Sequence, residues 1–278
     1  MSRPALPPEW LSRRTPTFQF PKSLLRPLLR SITSLKDSGW LPAVPLQQHV
    51  VICGFPRSGT TLFQLMLEGC IEGPRCRGRE IRALDLATCG RRSHAVMLSK
   101  RPKDLFLIPE LRNFYADRGV RLQMILLHRD PRGVLTSRHF SRPTEYYLSA
   151  EEWRHYYAWW DWHRRDPDVL SISYEHLVRC PDRIEQRVLE FTGWQARWRF
   201  HDFLNHVPAG FDGRALNNLR ELDPSRLTSW REQQHQLRLR QLLVELPELP
   251  ERLVSMGFEP DDSWLVQLQS ELASGIAA

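Results

Sequence analysis

The stretch GFPRSGTT, residues 54–61, lies between a short run of β-branched residues and a segment with apolar residues at helical spacing. It matches the phosphate-loop pattern G-x-x-x-x-G-K-[ST] at every defined position except the lysine, which is replaced by Thr60. A glycine-rich turn between a strand and a helix directs backbone N–H groups into one concavity, where the helix dipole also favours an anion. The stretch therefore predicts an anion-binding loop.

The side chains of this loop indicate which anion it suits. Three hydroxyls, one cation and a conformationally free glycine are available, namely Ser58, Thr60, Thr61, Arg57 and Gly59. The missing lysine would normally reach the outer phosphates of a nucleoside triphosphate, and Arg57 can supply a charge in its place. The loop therefore argues against γ-phosphoryl transfer from ATP but not against phosphate binding. A plain strand–helix turn is the alternative.

A second candidate anion site is LLHRDPRGVLTS, residues 126–137. Arg129 directly follows the clearest apolar strand, and ligands of open α/β sheets bind at the carboxyl ends of strands. A helix is predicted to begin after Asp130, since the next residue is proline. Ser137 lies eight residues beyond Arg129, about two helical turns past this corner. An arginine and a hydroxyl so placed could hold one phosphate together; a purely structural junction is the alternative.

The elements that must position these residues follow from the alternation of apolar runs. Strands are predicted at residues 50–53, 95–98, 122–127 and 169–173, and helices at residues 60–69, 104–116, 151–165 and 181–192. Strands separated by helices predict an α/β fold, a three-layer domain of the phosphate-loop type with a central parallel sheet flanked by helices. We assign this domain to residues 48–278 and a basic, proline-rich arm to residues 1–47.

Two segments are harder to place in that fold. Residues 24–30 of the arm carry short apolar pairs, which favour an arm packed on the domain or, alternatively, weak contact with a membrane surface. Residues 205–230 have few apolar side chains and several prolines and glycines, which predicts a long loop. Loops of that length inside a domain are often functional lids.

The chain of 278 residues has a formal net charge of +7, and its basic residues are nearly all arginine. Arginine makes forked contacts to phosphate and sulfate, so the excess fits a polyanionic ligand, or else an arginine-rich composition alone. No motif typical of a nucleic-acid-binding protein is present. Five cysteines without a C-x-x-C pair favour neither a zinc site nor a disulfide framework. With no membrane-length apolar run and no secretory signal, we expect a cytoplasmic protein.

Together the two constellations resemble those of the PAPS-dependent sulfotransferases, whose sulfuryl donor is 3′-phosphoadenosine 5′-phosphosulfate (PAPS). Residues 56–61 are similar to that family's 5′-phosphosulfate loop, and the string RDPR, from Arg129 to Arg132, together with Ser137 is similar to its 3′-phosphate motif. Tyr174 begins the string YEHL, which resembles a third family motif, Tyr-Glu-x-Leu, directly after a predicted strand. The resemblance covers roughly residues 48–260 and implies donor contacts from these motifs, including Ser58, Gly59, Thr60 and Thr61.

The resemblance also explains the missing lysine and implies catalytic roles. No triphosphate has to be spanned and no metal ion has to be held, while Arg57 would stabilise charge on the bridging oxygen as sulfuryl leaves. The string RCRGREIR, residues 75–82, resembles the glutamate motif of the tyrosylprotein branch with one inserted residue. It implies Glu80 as the base that takes the acceptor's proton, with Arg82 orienting it. A surface Arg–Glu pair is the alternative.

Lys100, at the end of a predicted strand, is similar to a family lysine that contacts the transferring group; a solvated lysine is the alternative. His94 and His139 are alternative bases, because cytosolic members of the family use a histidine. The polar segment before Trp230 resembles one that closes over the 3′-phosphate, which implies contacts from Ser225 and Arg226. No residue is assigned to the adenine. The aromatic run from Trp153 to Trp162 is interpreted as core or, alternatively, as the wall of an acceptor cleft.

The sequence therefore predicts a sulfotransferase that moves a sulfuryl group from PAPS to a hydroxyl or amine by in-line displacement and releases PAP, without a metal. A small-molecule, lipid or carbohydrate acceptor is favoured over a protein, and nucleic acid is not expected as a partner. The alternatives are a phosphate-loop kinase for nucleotides or small molecules, which would need ATP and Mg²⁺, and a non-catalytic nucleotide-binding module.

Overall fold

The computed structural model describes residues 3–7, 44–73, 76, 80–89, 95–139, 142–211 and 219–266. Most of the predicted arm, including residues 24–30, lies outside these ranges, as do His94 and most of the basic string before Glu80. Contacts divide the chain into two compact units. The first comprises Met1–His128 and His155–Leu222, and the second comprises Arg129–Arg154 and Asp223–Ala278.

The first unit contains a four-stranded parallel sheet flanked by helices, which confirms the predicted α/β fold. Its strands, in the spatial order β2-β1-β3-β6, are β1 (Gln48–Gly54), β2 (Val96–Lys100), β3 (Arg121–His128) and β6 (Val169–Ser173). β1 is buried along its whole length, as expected of a central strand covered on both faces. The helices between the strands bury their apolar sides on the sheet, where Val50, Phe63 and Ile125 belong to one core cluster.

The helices and shorter elements complete the chain. The α-helices are α1 (Thr60–Cys70), α2 (Ala83–Cys89), α3 (Ile108–Tyr115), α4 (Pro131–Leu135), α5 (Ala150–His163), α6 (Tyr174–Arg179), α7 (Pro181–Thr192), α8 (Gln236–Glu245) and α9 (Leu249–Ser255). The 3₁₀-helices are Pro102–Leu107, Phe200–His206, Pro224–Arg231 and Gln233–His235. In the second unit, β4 (Arg138–His139) and β5 (Arg142–Tyr146) pair antiparallel.

The strand register determines which residues meet at the carboxyl edge of the sheet. Gly54 lies beside Leu127, Ile52 beside Lys100, and His128 beside Ser173. Because all four strands are parallel, the loop after β1, the end of β2 and the start of α6 share this edge. The register therefore brings the phosphate loop, Lys100 and Tyr174, which the sequence analysis selected separately, to the same edge of the sheet.

Three local predictions need correction. The helix predicted at residues 104–116 begins as the 3₁₀-helix Pro102–Leu107 before α3. The helix predicted to begin after Asp130 is only five residues long and ends at Leu135, so the two helical turns expected between the corner and Ser137 are not both formed. The segment predicted as a long loop, residues 205–230, contains most of the 3₁₀-helix Pro224–Arg231.

No helix in the described part of the chain is both long and apolar enough to cross a membrane. Within the same residues, no group of three or more histidine, cysteine or acidic side chains is arranged to hold a metal ion.

Candidate active site

The loop after β1 has an unusual backbone at Arg57. Its φ of 62° makes it the only non-glycine residue with positive φ among those the structure describes. Such a conformation costs about 1–2 kcal/mol for a residue with a Cβ, so it persists only where the surrounding fold imposes it. Strain of this kind is often found at functional sites, which is consistent with a role for the Arg57 side chain in ligand binding.

Ser58 stabilises the loop from within. Its side chain is fully buried, and its hydroxyl donates to the carbonyl oxygens of Phe55 at 2.6 Å and Leu127 at 3.2 Å. The same Leu127 oxygen accepts from the Phe55 backbone N–H at 2.9 Å, so the loop is attached to β3. Because a hydroxyl has a single hydrogen to donate, Ser58 would contribute its backbone N–H rather than its hydroxyl to an anion.

Gly59 and Tyr174 are in direct contact. Gly59 is the N-cap of α1 with a φ of 81°, and a Cβ there would lie 2.4 Å from the ring carbon Cδ2 of Tyr174. Tyr174 is the first residue of α6, whose preceding residue Ser173 caps it by accepting from the His176 N–H. The structure thus brings the Tyr-Glu-x-Leu string onto the loop, and only glycine leaves room for the ring.

Lys100 connects two other candidates. Its ammonium nitrogen donates to Oε1 of Glu80 at 3.0 Å and to the hydroxyl oxygen of Thr61, in the first turn of α1, at 3.3 Å. The Lys100 side chain is 6% exposed, whereas that of Glu80 is 52% exposed. A buried cation therefore lies between the loop and a carboxylate that solvent, or an acceptor, can reach.

The segment that carries Glu80 is anchored by Asp104. The Asp104 carboxylate is fully buried and accepts from the Ala83 N–H at 2.9 Å. Burial raises the pKa of Asp104 to about 7, opposed by that hydrogen bond and by the charges of Arg101 and Arg82. The guanidinium of Arg82 lies 3.8 Å from Asp85, and the described ion pair of Glu80 is the one with Lys100.

In the second unit, Arg129 and Ser137 converge on Gly133. A Cβ at Gly133 would lie 3.0 Å from Nε and 3.3 Å from Cζ of Arg129, so the guanidinium occupies the space that glycine leaves. The Ser137 hydroxyl donates to the Gly133 carbonyl oxygen at 2.8 Å. The side chain of Asp130 caps α4 by accepting from the Arg132 N–H at 2.8 Å. The two predicted phosphate ligands, Arg129 and Ser137, thus both contact Gly133.

Arg132 closes the RDPR string of the second motif, but the sequence analysis assigned it no contact with the donor. Its side chain is 2% exposed and forms a forked contact with Asp130, with Nη2 at 2.7 Å from Oδ2 and Nε at 3.0 Å from Oδ1. The signal in the sequence was the second arginine of RDPR, which no ligand assignment used.

Ser225 and Arg226 both contact Asp223 in the structure. The Ser225 hydroxyl donates to Oδ1 of Asp223 at 2.5 Å, and Arg226 Nε donates to Oδ2 at 3.2 Å. The hydrogen bonds from Ser225 lower the pKa of the Asp223 carboxyl. To hold a phosphate, these two side chains would have to exchange the carboxylate for it.

Of the two alternative histidine bases, His94 lies outside the described residues. His139 stacks on Tyr147 in the second unit, with ring centroids 5.3 Å apart. The aromatic run on α5 is mostly core: Trp153, Trp159 and Trp160 are each at most 3% exposed. This confirms the core interpretation.

A comparison with models of protein families identifies one family. The family model described as "Sulfotransferase domain" matches residues 47–208. No curated protein sequence matches the chain significantly.

Similar solved structures include the sulfotransferase domain from the Synechococcus PCC 7002 olefin synthase (18% identity, TM-score 0.47, covering 69% of this chain and 90% of that one). The sulfotransferase domain from the curacin biosynthetic pathway has 14% identity and a TM-score of 0.42, with 72% and 98% covered. Mouse sulfotransferase SULT7A1, in complex with PAP, has 14% identity and a TM-score of 0.41, with 78% and 90% covered. Because the family model spans more than half of its 278 residues, the chain belongs to the sulfotransferase domain family.

Proposed function

We propose that this protein transfers a sulfuryl group from PAPS to a hydroxyl or amine of an acceptor. The observation that carries the proposal is the position of Lys100, whose ammonium group contacts both Thr61 of the loop and the carboxylate of Glu80. The loop proposed for the 5′-phosphosulfate, the cation and the proposed base are thereby connected within the first unit of the protein. Membership in the sulfotransferase domain family supports the same reaction class.

The residues of the loop fit the 5′-phosphosulfate of the donor. The loop ends at the N-terminus of the eleven-residue helix α1, where the first N–H groups of a helix and its dipole favour an anion. Thr60 and Thr61 would add hydroxyl donors, and Arg57 a positive charge. The Tyr174 ring, which packs on Gly59, would hold the loop in shape. Each of these roles is a proposal for this chain.

The 3′-phosphate is assigned to Arg129 and Ser137. Both contact Gly133 at one corner of the second unit, and the Ser137 hydroxyl would have to turn from the Gly133 carbonyl oxygen to donate to the phosphate. An arginine fork suits a terminal phosphate because it can donate two parallel hydrogen bonds. Ser225 and Arg226 are assigned to the same phosphate, which would replace Asp223 as their partner.

The chemistry follows from the charges of Glu80, Lys100 and Arg57. When bound, PAPS supplies the sulfuryl group, and PAP is the leaving group. Glu80 would accept the proton from the acceptor's hydroxyl or amine, since its carboxylate is half exposed. Lys100 and Arg57 would stabilise the negative charge that develops as the sulfuryl group is transferred. Lys100 would also hold the Glu80 carboxylate in one orientation.

Calorimetric titration with PAP, and separately with ATP and Mg²⁺, tests the donor. We expect PAP to bind and ATP–Mg²⁺ to bind more weakly; the reverse order would overturn the proposal in favour of a kinase. A PAP-release assay then tests turnover across small-molecule, lipid, carbohydrate and peptide acceptors, with mass detection of a product heavier by one sulfuryl group. Arg57→Ala is the matched loss-of-function variant, and PAP binding without turnover on any acceptor would support a non-catalytic module instead.

A further inference from the structure

Arg132 lies in the interior of the second unit, surrounded by two carboxylates and two indole rings. Its Nη2 is 2.7 Å from Asp130 and 2.5 Å from Glu259. Its Cζ lies over the ring of Trp230 at 3.8 Å and over that of Trp264 at 4.7 Å, measured to the ring centroids. At 2% exposure this side chain cannot touch a ligand in solution. Its role must therefore act through its neighbours.

On one side, those neighbours form the corner that carries Arg129 and Ser137. The forked contact of Arg132 with Asp130 holds the residue that caps α4. Gly133 follows directly and leaves room for the Arg129 guanidinium, while its carbonyl oxygen accepts from Ser137. A helix of five residues has little intrinsic stability, so its geometry depends on such side-chain contacts.

On the other side, Arg132 contacts segments far along the chain. Trp230 lies near the end of the 3₁₀-helix that contains Ser225 and Arg226, and Glu259 follows α9. One guanidinium thus joins the α4 corner to two C-terminal segments of the same unit. The planar fork and the two stacked faces are specific to arginine, because a lysine ammonium is a single point charge.

We propose that Arg132 is a positioning residue for recognition of the donor's 3′-phosphate. It holds the α4 corner, and with it Arg129 and Ser137, in register with the segment that bears Ser225 and Arg226. This inference rests on the proposed function, since it concerns the same phosphate. It adds that a buried residue without access to the donor sets how much affinity the 3′-phosphate provides.

The test compares PAP with adenosine 5′-phosphate, which lacks the 3′-phosphate, by calorimetric titration of the full chain. The dissociation constant of adenosine 5′-phosphate divided by that of PAP measures how much affinity the 3′-phosphate contributes. In Arg132→Lys we expect this ratio to fall at least tenfold, while the affinity for adenosine 5′-phosphate changes less than twofold. The matched control is Arg238→Lys, another buried arginine of this unit, which lies over the Tyr146 ring and pairs with Glu245. Its melting temperature should fall, but its ratio should stay at the wild-type value.

If Arg132→Lys does not fold, Glu259→Gln tests the positioning role of Arg132 instead. This variant keeps the size of the side chain and removes one of the two carboxylate charges that contact Arg132. The residue it alters is 15% exposed. We expect the same ratio of dissociation constants to fall about three- to fivefold. An unchanged ratio in the folded variants would overturn the inference and leave the proposed function intact. A wild-type protein that binds PAP no better than adenosine 5′-phosphate would instead overturn the assignment of the 3′-phosphate, and the inference with it.

Discussion

Lys100 and Glu80 form a direct ion pair, with 3.0 Å between the ammonium nitrogen and Oε1, although twenty residues separate them in the chain. The lysine is buried at the end of β2, and the glutamate is half exposed. The pair therefore connects the protein interior to solvent, from which we expect the acceptor to reach Glu80.

Replacing Glu80 with glutamine should lower turnover at least a hundredfold, a typical loss for a general base. Glutamine can still accept a hydrogen bond from Lys100 but cannot take up a proton. The dissociation constant for PAP should therefore change less than about twofold. Both quantities are measured on one preparation, by PAP release and calorimetric titration. Glu190→Gln, at an exposed position on α7, is the control. Full turnover in Glu80→Gln would remove Glu80 as the base.

The pair should also behave as one unit in a double-mutant cycle. Lys100→Met removes the cation but retains most of the side-chain volume, and we expect it to lower turnover as well. Because Lys100 orients Glu80, the double variant should lose little more turnover than the worse single variant. Losses in turnover that multiply would show that the two residues act independently.

Gly59→Ala should destabilise the protein and prevent PAP binding. The added Cβ would have a positive φ and would lie 2.4 Å from the Tyr174 ring. Gly119→Ala is the control, because Gly119 has a φ of +64° but a Cβ added there would meet no atom within 4 Å. The control should lose about 1 kcal/mol of unfolding free energy, the cost of the backbone conformation alone. Gly59→Ala should lose clearly more in urea denaturation. Equal losses would contradict a steric role for Tyr174.

The buried Asp104 should make stability depend on pH. Its native pKa of about 7 lies above the value of about 3.9 in an unfolded chain. Between about pH 4 and pH 7 the native state holds a proton that the unfolded state has lost, so the free energy of unfolding falls as the pH rises. Asp104→Asn should remove this fall, on the order of 1–4 kcal/mol, because asparagine keeps an acceptor for the Ala83 N–H and does not titrate.

Urea denaturation at several pH values across this window measures the effect. The exposed acid Asp117, replaced by asparagine, is the control and should keep the wild-type slope. A wild-type slope in Asp104→Asn would show that another group is responsible.

Short-range patterns in the sequence predicted the strands of the parallel sheet and the loop. β-Branched and apolar runs identify buried strands, and proline and glycine mark the ends of α7, which begins at Pro181 and is followed by Gly193 with a φ of 75°. The same patterns predicted where α4 begins but gave no end for it. Thr136 and Ser137 donate their hydroxyls to the carbonyl oxygens of Arg132 and Gly133, four residues earlier, where the helix ends.

By itself, the sequence determined the α/β fold and the order of the motifs, because both depend on residues close together in the chain. Only the tertiary structure decided that Lys100 meets Glu80, that Tyr174 packs on Gly59, and that Arg132 reaches Glu259. These contacts join residues that are distant in sequence, so they depend on how strands align and helices pack. The chemistry of a loop can be inferred from its residues, but the packing of the whole unit determines which other residues the loop contacts.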